Sequence, residues 1–290
     1  MSFSKQRLKR AAPGGYEVVL DGVSFSPTGN PQDRVLHSIC LSIKPGEFIG
    51  VVGGNGAGKS TLLSAVAGEL NVRDGKIFVG GERVTAPINR IIDGVGIVHQ
   101  NDEDDLLHGF SIGFNISFRQ FNTGSHPYTF RAFPMSYRTQ MAAKLSRYSA
   151  LLGRKDMDTL VGHLAGGVRQ ILNLIIGIHL EHEMNPCGLM LLDEHTARLD
   201  HTNAKDVMEF TAQQIKDANA TAIMVTHRYS EALKYCSRIV VMGQGRIYGR
   251  PFAPTGWTVC DLERLVEAAE NYDFGSNSNP NIEWTPTLQK

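Results

Sequence analysis

Apolar residues along this chain gather in short runs, many of them β-branched, with polar and glycine-rich joints between them. Phe48 to Val52 (FIGVV), Leu189 to Leu192 and Thr221 to Val225 are nearly continuous in apolar character, which is the pattern of strands covered on both faces. Tyr16 to Leu20, Val35 to Ile43, Glu47 to Val52 and Lys76 to Val79 predict strands set apart by Gly, Pro and Asn turns, and Gly96 to His99 predicts another. Elsewhere the period lengthens. Leu62 to Leu70 and Ile171 to Leu180 have helical composition, and Met141 to Leu152 is a helix-compatible stretch in the polar, aromatic region between Gln100 and Leu164. Ile239 to Tyr248 predicts a hairpin around Gly245, and Val259 to Glu270 an amphipathic helix. Strands alternating with helices predict an α/β fold with a parallel sheet flanked by helices. The expected divisions are a basic arm over 1–15, a main domain over 16–255 with a helical insertion at about 101–180, a C-terminal helix within 256–274, and a disordered polar tail over 275–290.

Composition narrows the function classes. With 290 residues and 42% apolar content the chain can bury a substantial core, as one large domain or two small ones. Lys plus Arg and Asp plus Glu number 29 each, so no net field recommends nucleic acid as a partner. No apolar run approaches the roughly 20 residues needed to span a bilayer, and the start, with Lys5, Arg7, Lys9 and Arg10, holds no secretory apolar region, so a soluble chain is expected. Cys40, Cys187, Cys236 and Cys260 lack CxxC spacing and are expected to be reduced core thiols.

Chemistry enters at Gly53 to Thr61 (GGNGAGKST), a full match to GxxxxGK[ST] lying between an apolar strand and a helical run. Gly53, Gly56 and Gly58 let the backbone turn its N–H groups inward, with Asn55 and Ala57 completing the loop, so that with the following helix start it forms an anion nest for phosphates. Lys59 is then expected to reach the β and γ phosphates of a nucleoside triphosphate, with Ser60 as a Mg²⁺ ligand and Thr61 closing the motif. Gly188 to Glu194 (GLMLLDE) is an apolar strand ending in two carboxylates. Strand ends in parallel sheets face the nucleotide crevice, so Asp193 is placed to hold Mg²⁺ through water and Glu194 to orient an attacking water. Two further glycines, Gly166 and Gly167 in LAGGVRQ, open a helical run and present backbone N–H groups to an anion.

The ordered set of Gly53 to Thr61, Gln100, LAGGV, LLDE and His227 resembles the ATP-binding-cassette ATPases, over about Tyr16 to Tyr248. That resemblance implies a P-loop NTPase fold with a parallel core sheet, an antiparallel β subdomain and a small helical subdomain. It implies ATP and Mg²⁺ as cofactors. It implies as partners a second copy or a paralogous ABC ATPase, a transmembrane permease at the cytoplasmic face of the membrane and, for an importer, a substrate-binding protein. Residue by residue, Gln100 matches the glutamine that approaches Mg²⁺ and the attacking water. Gly166 and Gly167 match glycines that cap a γ-phosphate held by the second subunit, Asp200 matches the aspartate exchanged across the dimer, and His227 matches the switch histidine. An aromatic residue that stacks on adenine is expected before the phosphate loop: Phe25, with Tyr16 as the alternative.

Three positions depart from the family pattern. Ala165 replaces the signature serine and removes a hydroxyl aimed at the γ-phosphate, Val168 replaces the next glutamine, and His195 stands where proline usually follows the glutamate. LLDEHT, with Trp257, Thr258, Val259, Asp261 and Leu262 near the end, is similar to a subgroup assigned to amino-acid import. An ATP-gated regulatory subunit with weak hydrolysis, or an ABC ATPase outside transport, shares the nucleotide motifs. Asp102 to Asp105 (DEDD) reads as a solvated, mutually repelling loop, with contact to a permease as the alternative.

Overall fold

The computed structural model describes residues 14–88, 92, 94–122, 135–146, 152–153, 156–177 and 187–274. The expected arm and tail therefore lie outside the described residues, apart from Gly14 and Gly15. Among the described residues the strands form two sheets. The smaller is antiparallel, in the order β2 (Leu36–Ile43), β1 (Val18–Phe25), β4 (Asp74–Val79), β5 (Glu82–Arg83). The larger has the order β10-β9-β3-β8-β7-β6, comprising β3 (Phe48–Gly53), β6 (Val95–Val98), β7 (Leu189–Asp193), β8 (Thr221–Val225), β9 (Arg238–Gly243) and β10 (Arg246–Ile247). Its pairs are parallel except β9 with β10. This is the α/β P-loop architecture that the motif order implies.

The continuous apolar runs are strands because both of their faces are covered. Every residue of β3, β7 and β8 is buried. On one side Ile49, Val51, Leu189, Leu191, Ile223 and Val225 join the antiparallel sheet and helix α1 (Lys59–Val66) in one cluster. On the other side Phe48, Val52, Met190, Leu192 and Met224 pack with the helical elements. Alternate residues thus serve opposite layers, as strand pleating requires.

The insertion after β6 contributes α2 (Asp102–Asp105), α3 (Ile112–Asn122), α4 (Met135–Ser146) and α5 (Gly166–Ile175). Ile112, Ile116, Met141 and Leu145 join it to the same cluster as Leu172 and Ile175. After β7 come α6 (His201–Ala218), α7 (Tyr229–Tyr235) and α8 (Val259–Asn271). A capping box fixes the start of α8: Asp261 N–H donates to the Thr258 hydroxyl oxygen, while Thr258 N–H donates to the Asp261 carboxylate. The helix lies against β3, β9 and α7.

Four expectations change. β1 continues to Phe25 because register shifts between Leu20, Val23 and Phe25 absorb the Asp21-Gly22 pair as a bulge where a turn was expected. The helix after the phosphate loop stops at Val66, ahead of Gly68, and leaves Leu70 beyond it. Asp102 to Asp105 forms a short helical turn whose last carboxylate is buried. Two of the four thiols, Cys40 and Cys260, are exposed, while Cys187 and Cys236 lie in the core.

Gly245, between β9 and β10, ties these layers to the phosphate loop. Its N–H donates to the Ala57 carbonyl at 3.1 Å and its carbonyl accepts from His37 N–H at 2.9 Å. It has φ of +72°, and a Cβ there would run into the Val35 carbonyl. Gly245→Ala should therefore lower stability by about 1–3 kcal/mol, read by urea denaturation; an unchanged midpoint would mean that the turn relaxes freely. Mass spectrometry after brief iodoacetamide treatment of native protein should find Cys40 and Cys260 modified, with Cys187 and Cys236 reacting only after unfolding. Burial pushes the Cys236 thiol well above its ordinary pKa, which reinforces that difference.

Candidate functional site

The order β3-β8-β7-β6 sets four parallel strand ends side by side. The phosphate loop follows the first, His227 the second, Asp193 and Glu194 close the third, and Gln100 follows the fourth. Sheet topology alone thus gathers residues as far apart in sequence as Lys59 and His227 at one edge.

The loop turns through Gly56 and Gly58, with φ of +76° and +90°, a backbone state open to glycine at little cost. The Gly58 carbonyl then accepts from Leu62 N–H at 2.8 Å and starts α1. Lys59 folds back over the loop: its ammonium donates to the Gly53 and Gly54 carbonyls at 3.0 and 2.8 Å. Desolvation lowers the pKa of Lys59, and the carboxylates of Glu194, Asp193 and Glu270 act against that shift. The third of these belongs to α8, whose Glu270 side chain stands over Gly54 in the space a Cβ there would need.

The Ser60 hydroxyl donates to Asp193 Oδ1 at 3.1 Å. Burial raises the Asp193 pKa, and the Ser60 hydrogen bond opposes the rise. Glu194 takes φ of +44°, and its N–H donates to the Val225 carbonyl at 3.0 Å. Gln100 Nε2 donates to Glu194 Oε2 at 2.8 Å, and His227 Nδ1 stands 3.4 Å from the same oxygen. Glu194 is therefore contacted from the β6 and β8 loops at once.

Two supporting networks escaped the sequence reading. His99, next to Gln100, has Nδ1 2.7 Å from Asp105 and Nε2 3.0 Å from Glu69; with a carboxylate on each ring nitrogen its pKa is pushed up to about 10, so the ring is an imidazolium. Asp105 Oδ2 also accepts from His99 N–H and from Asn173 of α5. The expected solvated acidic loop is thus corrected at Asp105: with a side chain 4% exposed, it ties the Gln100 segment to α5, while Glu69, beyond the end of α1, meets the other side of His99. In the second network Arg228 donates to the Leu199 carbonyl at 2.9 Å and lies 3.5 Å from Glu231, which accepts from the Thr196 hydroxyl. The only sequence hint to Arg228 is its place beside His227.

The remaining expected residues lie outside this hydrogen-bonded cluster. Ala165 is the N-cap of α5 and supplies no side-chain cap; Gly166 and Gly167 form its first turn, Gly167 packing near Leu199. Asp200 is exposed and caps α6, accepting from Thr202 and Asn203 N–H, and the Asn203 contacts lead in lowering its pKa. Tyr16 is 8% exposed, with its ring against Gly80 and Gly188, so it is core and offers no face to a base. Phe25 is partly buried against the β cluster. His195, fully buried beside Thr211, is held neutral by desolvation, its pKa lowered to about 4.

The donor set suits both cofactors. Backbone turned by left-handed glycines, a buried lysine and a helix start fit phosphates. A hydroxyl and a carboxylate oxygen fit Mg²⁺ as hard ligands that leave room for phosphate and water. Among the described residues no group of three or more His, Cys, Asp or Glu is arranged to hold a metal.

Comparison with known proteins identifies the family. The ABC transporter family model matches residues 36–197. The tyrosine transport ATP-binding protein of Clostridioides difficile is 30% identical over 224 residues, 77% of this chain and 85% of that one. An energy-coupling factor transporter ATP-binding protein of Acetivibrio thermocellus is 29% identical, covering 76% of this chain and 73% of its own length. The methionine import ATP-binding protein of Caulobacter vibrioides is 28% identical, covering 77% and 63%. Among solved structures, a dimeric ATP-binding cassette in a post-hydrolysis state with ADP and Pi superposes with a TM-score of 0.67 at 20% identity, over 83% of this chain and all of that one. With a phosphate loop, a carboxylate pair and a glutamine gathered at one sheet edge, and a family model that covers more than half of its length, the chain belongs to the ATP-binding proteins of the ABC transporter family.

Proposed function

We propose that the chain binds Mg²⁺-ATP at Gly53 to Thr61 and hydrolyses it as the motor subunit of a membrane transporter, at the cytoplasmic face of the membrane and against a separate permease. The observation that carries the reading is the gathering of Lys59, Ser60, Asp193, Glu194, Gln100 and His227 at one end of the sheet, where Lys59 donates to its own loop, Ser60 donates to Asp193, and Gln100 and His227 both meet Glu194. Among the described residues no helix is long and apolar enough to cross a membrane, which suits a subunit that works on a spanning partner.

In this reading the Lys59 ammonium exchanges its two loop carbonyls for phosphate oxygens, gaining charge-assisted hydrogen bonds in a site where desolvation strengthens them. Ser60 and Asp193 hold Mg²⁺, which neutralises charge on the phosphates, and Gln100 adds a ligand from the neighbouring loop. Glu194 orients the attacking water and accepts its proton, while His227 donates toward the γ-phosphate. A second copy, or a paralogue, supplies the anion-facing start of its α5 at Gly166 and Gly167, with its Asp200 across the interface. Closure of the two drives the permease, and hydrolysis reopens them. The names of the tyrosine and methionine relatives, with LLDEHT in this chain, support an amino acid as the cargo class, delivered by a substrate-binding protein.

The uncapped start of α5 favours a second reading. Ala165 offers no hydroxyl either to the helix or to a phosphate across the dimer, so the chain could act as an ATP-gated regulator with little turnover.

Three variants test these readings. Glu194→Gln should retain ATP binding and lose turnover by about 10²- to 10⁴-fold in a phosphate-release assay, whereas Lys59→Ala should weaken Mg²⁺-ATP binding by about tenfold or more. Unchanged turnover in the first variant, or unchanged affinity in the second, sinks the assignment. Ala165→Ser should stabilise the protein by about 1 kcal/mol through a new N-cap, seen as a higher unfolding midpoint. If it also raises phosphate release from background to steady turnover, the regulatory reading describes the natural chain.

A further inference from the structure

A loop built to hold phosphates is met here, from the C-terminal side, by negative charge. The last turn of α8 ends on it: the Glu270 carboxylate stands against Gly54, in the space a Cβ there would need, and the Ala269 carbonyl takes up the corresponding space at Gly243, the last residue of β9. Two residues without side chains thus form the seat for this turn. Gln244 Nε2, from the β9–β10 turn, donates to the carbonyls of Glu270 and Tyr272 at 2.6 and 3.1 Å and holds the turn in its seat.

Two electrostatic features of the docked turn oppose a phosphate. Glu270 is exposed, and its carboxylate acts on the Lys59 ammonium alongside those of Glu194 and Asp193. The end of α8 that reaches the loop is also its C-terminal end, the negative pole of a helix, and no basic residue stands in the last turn to offset it. Asp193 and Glu194 have tasks at the metal and the water in the reading above. Glu270 has none there, although it stands closer to the phosphate-loop backbone than a substituent of Gly54 itself would allow.

We propose that Glu270 is a brake on nucleotide entry: over the empty loop it serves Lys59 as a countercharge with the α8 end docked, and an arriving triphosphate meets a like charge that loosens this turn. The proposal rests on the phosphate-loop reading above. Lys59 draws both groups to one place, whereas carboxylate and phosphate repel each other there. Such coupling is reciprocal, so whatever Glu270 takes from nucleotide affinity the nucleotide takes from the docking of α8. Lifting the α8 end off Gly54 and Gly243 therefore raises affinity for ATP, which makes this helix a handle on the site.

The test titrates the full chain with Mg²⁺-ATP calorimetrically, in about 50 mM and about 500 mM salt. Glu270→Gln, which keeps the size of the side chain, should bind about three- to fivefold more tightly at the lower salt, and the gain should vanish at the higher. Glu263→Gln removes the same charge two helical turns earlier and should leave the affinity unchanged. By hydrogen exchange, amides over 266–272 of the wild type should exchange faster when Mg²⁺-ATP is bound, and those of Glu270→Gln should not respond. Unchanged or weaker binding in Glu270→Gln, an equal gain in Glu263→Gln, a gain that persists at high salt, or exchange at the α8 end that nucleotide leaves unchanged or slows each overturns the proposal, while the phosphate-loop reading stands. If the wild type does not bind Mg²⁺-ATP, the phosphate-loop reading itself fails and this one falls with it.

Discussion

An ammonium group that is taken out of water must find acceptors, and the site is organised around how Lys59 finds them. The residue is 7% exposed, and its first partners are the Gly53 and Gly54 carbonyls of its own loop. Those carbonyls are available because the loop turns through left-handed glycines, and the loop is fixed because β3 is buried along its whole length. Three acidic groups, Glu194, Asp193 and Glu270, supply the countercharge from the end of β7 and from α8. Burying an unpaired cation would cost several kcal/mol, so parallel sheet, loop and C-terminal helix are bound into one electrostatic unit.

Around that unit further side-chain contacts join the loops after β6, β7 and β8. The His99 imidazolium bridges Glu69 behind the phosphate-loop helix and Asp105, which also holds Asn173 of α5. Arg228 joins the His227 segment to the Leu199 carbonyl, one residue before Asp200. Through these contacts the segment around Gln100 is tied to α5, and the His227 segment to the stretch before α6.

The central strands and the phosphate loop were legible in the sequence because their signals are contiguous: FIGVV followed by GGNGAGKST carries strand, turn and helix start in one window. LLDE was legible for the same reason. What escaped depends on distant partners. Asp105 reads as one of four repelling carboxylates until Asn173 and His99 are seen to hold it, and Asp21-Gly22 reads as a turn until its neighbours β2 and β4 draw it into a strand. Asp200 shows the converse, since a helix cap explains its geometry within one copy.

Glu194 bears on how such a protein can change over generations. Its φ of +44° is a conformation that a non-glycine residue accepts at a cost of about 1 to 2 kcal/mol, and that glycine or asparagine would take more cheaply. Selection for thermal robustness alone would therefore erode this carboxylate, and only selection for what it does can retain it. A lineage in which the carboxylate had no task would gain stability by exchanging it for glycine or asparagine, so the backbone here sets a standing cost against keeping a glutamate.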